Sequence, residues 1–164
     1  MGLDMYLEAR KYFSKTDYKQ EEQVVNPDYQ ELSKFFPTGS DEFGEHAGAT
    51  LEITVGYWRK ANAIHAWFVR ECAEGVDECQ PIRVGNGKLR ELKVIIEFLT
   101  FIKDEPNASE QIEKLLPTQG GFFFGSTEYD EYYWHDLQRT LEILNKAIEL
   151  EEDEGCSITY QASW

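Results

Sequence analysis

The sequence predicts an α+β domain, a small and mostly antiparallel sheet with four to five helices packed on it. Three observations carry this expectation. Segments that alternate apolar and polar residues stand near both ends of the chain and once in its first half, at about 2–10, 50–56 and 157–163. Between them lie stretches whose apolar residues recur every three or four positions, the helical period. Strands at both ends and one between, separated by helices, give an α+β domain whose strand order the pattern does not fix.

The elements follow in chain order. Leu3, Met5 and Leu7 point one way and Asp4, Tyr6 and Glu8 the other, a half-buried strand. Residues 14–25 are polar without a period and read as a mobile loop. Asn26-Pro27 opens a helix, with proline at its first position, and Tyr29, Leu32, Phe35 and Phe36 share a face before Pro37 stops it. Residues 38–48 read as a second loop. Leu51, Ile53 and Val55 alternate in a strand that Gly56 is expected to end. A helix is then expected from about Trp58 to Ala73, burying Ala61, Ile64, Trp67 and Phe68 and closed by Gly75.

Ile82–Val84 reads as a brief extended piece, and Gly85-Asn86-Gly87 as a turn. Leu89, Leu92, Ile95, Ile96, Leu99 and Ile102 define a strongly amphipathic helix, and Ser109 is placed to cap a short one ending at Leu116. Phe122–Phe124, bracketed by glycines, reads as a short buried strand or bridge at 121–124. Thr127-Glu-Tyr-Asp130 resembles a capping box, followed by a helix carrying Tyr133, Leu137, Leu141, Leu144 and Ile148 on one face. The acids of 149–154 oppose the helix dipole, so fraying is expected near residue 150. Ile158, Tyr160 and Ala162 mark the last strand.

At 164 residues the chain suits one domain spanning 1–164, large enough to fold without disulfide or metal. Aromatic residues make up 14% of it, so large rings are expected to fill the core. The 31 acids against 16 bases leave a net charge of −15, which repels phosphate backbones and anionic membranes. Direct nucleic-acid and membrane binding are therefore not expected. The same charge fits nucleic-acid mimicry, but solubility is the commoner reason for it. Three cysteines and no evident signal peptide point to reduced thiols in a cytoplasm.

Chemistry-bearing residues concentrate in two places. Tyr57, Trp58, Arg59, Lys60, Asn62 and His65 form the densest set of hydrogen-bond donors in this acidic chain. Near a helix N-terminus such a set suits a phosphate or carboxylate, with Trp58 stacking on a ring. The segment 116–136 holds seven aromatic residues, a histidine and four acids. From it Phe124, Ser126, Thr127, Tyr129 and Trp134 join the binding set, with the rings as stacking surfaces. A pocket is expected where the two segments meet.

Weaker candidates for catalysis are His65, His135, Glu128 and Glu131, with Asp130 and Asp136 beside them. Acids in a first helical turn are also expected for capping alone. Glu131 and His135 at i, i+4 together with His65 would offer metal ligands, but no metal motif is present, and neither metal nor cofactor is expected. Gly85-Asn-Gly-Lys88 lacks the upstream glycine and the Ser/Thr of a phosphate loop.

Three blocks, Met1-Gly-Leu-Asp-Met-Tyr-Leu7, Val55 to His65 and Leu116 to Glu131, together with the closing Tyr160-Gln-Ala-Ser-Trp164, resemble an uncharacterised family of small bacteriophage and prophage proteins. The resemblance implies an intracellular accessory protein in the cytoplasm of an infected or lysogenic bacterial host. The expected function is a non-enzymatic binder of a small nucleotide-like or anionic ligand, acting against host defence. Two alternatives stay open: an acidic inhibitor of a host protein, and a small hydrolase using histidine and carboxylate. A homo-oligomer is compatible with each.

Overall fold

The computed structural model describes every residue except 1, 20–23, 37–43, 45 and 86. The fold is α+β, with a four-stranded antiparallel sheet, a two-stranded one and five helices among the described residues. The elements are β1 (Asp4–Ser14), β2 (Thr16–Asp17), β3 (Val24–Val25), α1 (Pro27–Ser33), β4 (Gly48–Arg59), α2 (Asn62–Cys72), β5 (Ile82–Val84), α3 (Lys88–Phe101), α4 (Ala108–Leu115), α5 (Glu131–Glu152) and β6 (Ser157–Ser163). The larger sheet runs β4-β1-β6-β5. The chain gathers into two compact units, Met1–Ala9 with Thr54–Trp164, and Arg10–Ile53.

The first unit holds the main core. Leu3, Met5, Leu7 and Ala9 are buried while Asp4, Tyr6 and Glu8 reach outward, as the alternation demands. In β6, Ile158, Tyr160 and Ala162 point inward, and β5 pairs with it antiparallel, Ile82 opposite Tyr160 and Val84 opposite Ile158. Seven of the eleven residues of α2 are buried, because the helix is covered nearly all round. α3 buries Leu89, Leu92, Ile96 and Leu99, and packs against α5, which buries Tyr133, Leu137, Thr140, Ile143, Leu144, Ala147 and Ile148.

Large rings do fill this core. The Phe68 and Tyr160 rings stack at 4.2 Å, nearly parallel, and Trp67 meets Phe68 edge-on at 5.2 Å. Trp58 donates its indole N–H to Thr140 Oγ1 at 2.9 Å, and Thr140 passes the bond on to the Asp136 carbonyl at 2.6 Å. The buried Trp67 indole N–H finds no acceptor among the described residues.

Several boundaries differ from expectation. β4 does not end at Gly56 but runs through it to Arg59. A Cβ built on Gly56 would lie 2.3 Å from Ile143 Cγ2, so this glycine marks the close approach of α5 to the sheet rather than a strand end. α2 accordingly starts at Asn62 and not Trp58. The segment 121–124 is a turn, closed by Phe124 N–H to the Gly121 carbonyl at 3.2 Å, and Phe122 is 95% exposed. Glycines permit a strand and a turn equally, and among the described residues one backbone bond, Leu3 N–H to the Phe123 carbonyl, ties the segment to the chain just before β1.

α5 begins three residues later than the expected box implies, with the cap at Asp130 and not Thr127. Asp130 is its N-cap, accepting from Tyr132 N–H at 2.9 Å and Tyr133 N–H at 3.2 Å. The helix does not fray at 150 but continues to Glu152, whose carboxylate is held bidentately by Arg90 of α3. α4 is entered through Asn107, with no side-chain cap from Ser109.

In the second unit, Asn26 caps α1 by accepting from Asp28 N–H at 3.0 Å, with Pro27 behind it. Tyr29 is buried, but Phe35 and Phe36 lie past the helix end and are exposed. The expected loop at 14–25 contains the paired strands β2 and β3, Thr16 opposite Val25 and Asp17 opposite Val24. Two-residue strands are too short to show a period. The expected loop at 38–48 falls mostly outside the described residues. Leu51 and Ile53, expected on a buried face of β4, are 47% and 45% exposed.

Candidate functional site

The corner between β4 and α2 is built from two unusual residues. Lys60 has φ 62°, a left-handed conformation that costs a lysine about 1 kcal/mol. Ala61 follows at φ −75° and ψ 69°, and Asn62 N–H reaches back to the Lys60 carbonyl at 2.8 Å, which is an inverse γ-turn. Lys60 N–H is itself fixed by the Leu3 carbonyl at 2.8 Å. This tight corner delivers Arg59 and Lys60 side by side immediately before a helix N-terminus.

Asn62 holds the segment after α4 against that corner. Its buried Nδ2 donates to the Phe124 carbonyl at 3.0 Å and the Ser126 carbonyl at 2.7 Å, and its Oδ1 accepts from Gln119 N–H at 3.1 Å. Gly125 lies between the two carbonyls, at φ 91°, and a Cβ there would come within 3.2 Å of Lys60 Cβ. The two segments singled out in the sequence are thus joined through one side chain and three backbone groups.

A cleft of about 400 Å³ opens where they meet, a size that suits a small molecule. Ala61, Ala63, Ile64 and Leu137 give it an apolar floor. Its lining also carries the cations Arg59 and Lys60, the acids Glu128, Asp130 and Asp136, and the rings of Tyr132 and Tyr133. Neither Arg59 nor Lys60 makes an ion pair among the described residues. The first-turn amides of Ala63 and Ile64 likewise find no acceptor, because α2 has no capping side chain. Buried backbone N–H groups without partners are rare, and here they accompany two cations that lack a counter-charge.

The acids of the lining are not equivalent. The Asp130 carboxylate is committed to the α5 cap. The Asp136 carboxyl accepts no hydrogen bond among the described residues, and burial pushes its pKa up to about 6 against the pull of His135 and Arg139. Tyr133 is anchored by donating to the Leu116 carbonyl at 2.9 Å, and burial raises its phenol well above the usual range. Tyr132 is 70% exposed.

Of the other residues expected in the site, Ser126 lines the cleft and its hydroxyl accepts from Glu128 N–H at 3.1 Å. Tyr57 sits on the exposed side of β4, its ring 5.3 Å from that of Tyr6. Trp58 is core, and Phe124 is buried edge-on against His65 at 5.2 Å. Thr127 contributes only its carbonyl, which accepts from Thr118. Tyr129 packs on Tyr133, and Trp134 lies under the Lys103 ammonium at 4.8 Å. None of the four rings expected to stack on a ligand lines the cleft. Tyr132 and Tyr133 occupy that position, and the Tyr-Tyr-Trp run gave no means of choosing among them before the α5 start was known.

His65 is fully enclosed. Its Nε2 lies 3.0 Å from Asp77 Oδ2, and because a carboxylate only accepts, Nε2 is the donor there; its Nδ1 is hydrogen-bonded to the Tyr160 hydroxyl at 2.8 Å. This chain ties α2 to β6 and to the loop before β5, away from the cleft lining. Glu131 and His135 line a separate shallow hollow with Tyr132. Among the described residues no group of three or more His, Cys, Asp or Glu is placed to hold a metal ion. No helix described is long and apolar enough to cross a membrane. No family model, curated protein or solved structure matches the chain.

Proposed function

We propose that this chain is a phage-type accessory protein that binds a small anionic, nucleotide-like ligand without turning it over, and so withholds that ligand from host defence. One observation carries the binding: Arg59, Lys60, Ala63 and Ile64 all line the cleft, the two cations without an ion pair and the two amides without an acceptor among the described residues. A helix N-terminus flanked by two free cations is a strong anion cradle. The apolar floor and Tyr132 suit a ring attached to that anion. The phage origin rests on the resemblance of the sequence blocks, and the anti-defence role on analogy with accessory proteins of that origin.

The reading against catalysis has its own support. His65 is committed at both ring nitrogens, and His135 lies outside the cleft lining, so no imidazole stands beside the candidate anion. Equilibrium dialysis against inorganic phosphate and a panel of nucleoside monophosphates and cyclic nucleotides tests the proposal. Binding is expected, with a loss of tenfold or more (about 1.5 kcal/mol or above) on Arg59→Ala at unchanged thermal stability. Mass spectrometry should recover the bound ligand intact. A parent protein that binds none of the panel, or an Arg59→Ala/Lys60→Ala variant that binds like the parent, overturns the reading.

A further inference from the structure

The cleft is lined by both cations and acids that do not pair with each other among the described residues. Arg59 and Lys60 make no ion pair with Glu128, Asp130 or Asp136 among the described residues, although all five line one cavity. A ligand that fills it must therefore offer an anion to the cations and hydrogen-bond donors to the carboxylate oxygens. Ionised carboxylates accept hydrogen bonds and cannot donate them. With Asp130 committed to capping, Asp136 and Glu128 remain as acceptors, and Asp136 is the one held in partial burial next to the apolar floor of Ile64 and Leu137.

Resting on the ligand-binding reading above, we infer that the cleft selects a nucleotide with a guanine-type base, its phosphate on Arg59, Lys60 and the α2 N-terminus and its two adjacent N–H donors on the Asp136 carboxylate. The base is singled out by its donor pattern. Guanine places a ring N–H and an exocyclic amine side by side, which one carboxylate accepts together. Adenine and cytosine each set a single amine beside a ring lone pair, which faces a carboxylate oxygen unfavourably. Uracil and thymine flank one N–H with two carbonyls. A free amino acid or similar zwitterion satisfies the charges but would set its ammonium against the apolar floor, whereas a flat base covers it and meets the Tyr132 ring at the rim. Buried polar groups reject a ligand that leaves them unpaired more strongly than apolar contacts do, so the discrimination falls on Asp136.

The test measures dissociation constants for GMP, IMP, AMP and inorganic phosphate with the parent, Asp136→Asn and Arg59→Ala. IMP keeps the ring N–H of GMP and lacks only the amine. The expected order is GMP tighter than IMP and IMP tighter than AMP, with GMP ahead of AMP by at least about tenfold. Asp136→Asn should collapse that ratio toward one without weakening phosphate binding, since it removes a like charge from the same cavity, and Arg59→Ala should weaken every nucleotide by a similar factor. Equal binding of AMP and GMP by the parent, or an unchanged ratio in Asp136→Asn, overturns the base assignment and leaves the anion site standing. Absence of binding to all four ligands overturns both.

Discussion

At the scale of single residues, Asp136 is where stability and the candidate site conflict. Burial raises its carboxyl from 3.8 to about 6, so the folded state holds this proton more tightly than the unfolded chain does. The sign follows from linkage. Below about pH 4 both states are protonated and the group costs nothing. As pH rises from about 4 to 6 the unfolded chain ionises first, and stability is lost. The full difference corresponds to roughly 3 kcal/mol, and solvent screening at this partly open position reduces it to about 1–2 kcal/mol. Asp136→Asn is therefore expected to raise the melting temperature at pH 7.5 and to leave it unchanged near pH 3.5, both measured against the parent by thermal denaturation. A variant no more stable than the parent at pH 7.5 would show that the carboxylate is compensated in the folded protein. A buried acid kept at such a cost fits a residue retained for what it binds.

At the scale of elements, the contact between Gly56 and α5 sets how closely the helix lies on the sheet. Ile143 Cγ2 occupies the space of a Gly56 side chain, and Ile143 is itself buried and branched, so it has little room to turn away. Gly56→Ala should destabilise the protein by about 1–3 kcal/mol in urea denaturation, and pairing it with Ile143→Ala should recover part of the loss. An additive double variant would place the strain elsewhere. This same glycine explains a misplaced boundary. In sequence a glycine after Val55 reads as a strand end, and nothing local distinguishes that from a glycine shaved to admit a helix 87 residues away. The error moved Trp58 and Arg59 from strand to helix and put Trp58 on the wrong surface. Alternation and helical period did reveal β6, α3, the body of α5 and the first half of β1, because a face of each is buried there; past Ala9 no residue of β1 is buried, and its extension to Ser14 left no such pattern. The meeting of the 57–65 and 116–136 segments was legible from their concentration of polar and aromatic side chains. The agents that join them, an Asn62 side chain and three backbone groups, leave no pattern in a sequence.

At the scale of the whole molecule, the excess of 31 acids over 16 bases decides how the protein answers to salt. Ion pairs such as Lys88 with Glu71 and Glu91, or Arg90 with Glu152, use up only some of the acids, and each is worth little at a solvent-exposed position. The remaining carboxylates repel one another, and compaction brings them closer than they are in the unfolded chain. Raising ionic strength from 0.01 to 0.15 M shortens the screening length from about 30 to about 8 Å, which relieves repulsion between distant acids more than it weakens pairs in contact. The melting temperature is accordingly expected to rise by about 2–4 °C over this range at pH 7.5, the shift that roughly 1 kcal/mol produces in a domain of this size. Sodium chloride rather than sulfate or phosphate is the salt to use, since an anion bound at Arg59 and Lys60 would stabilise by occupying a site. A flat or falling melting temperature would mean that local pairing dominates. The acids would then be arranged against specific basic partners within the fold, and the net charge of −15 would not govern its behaviour.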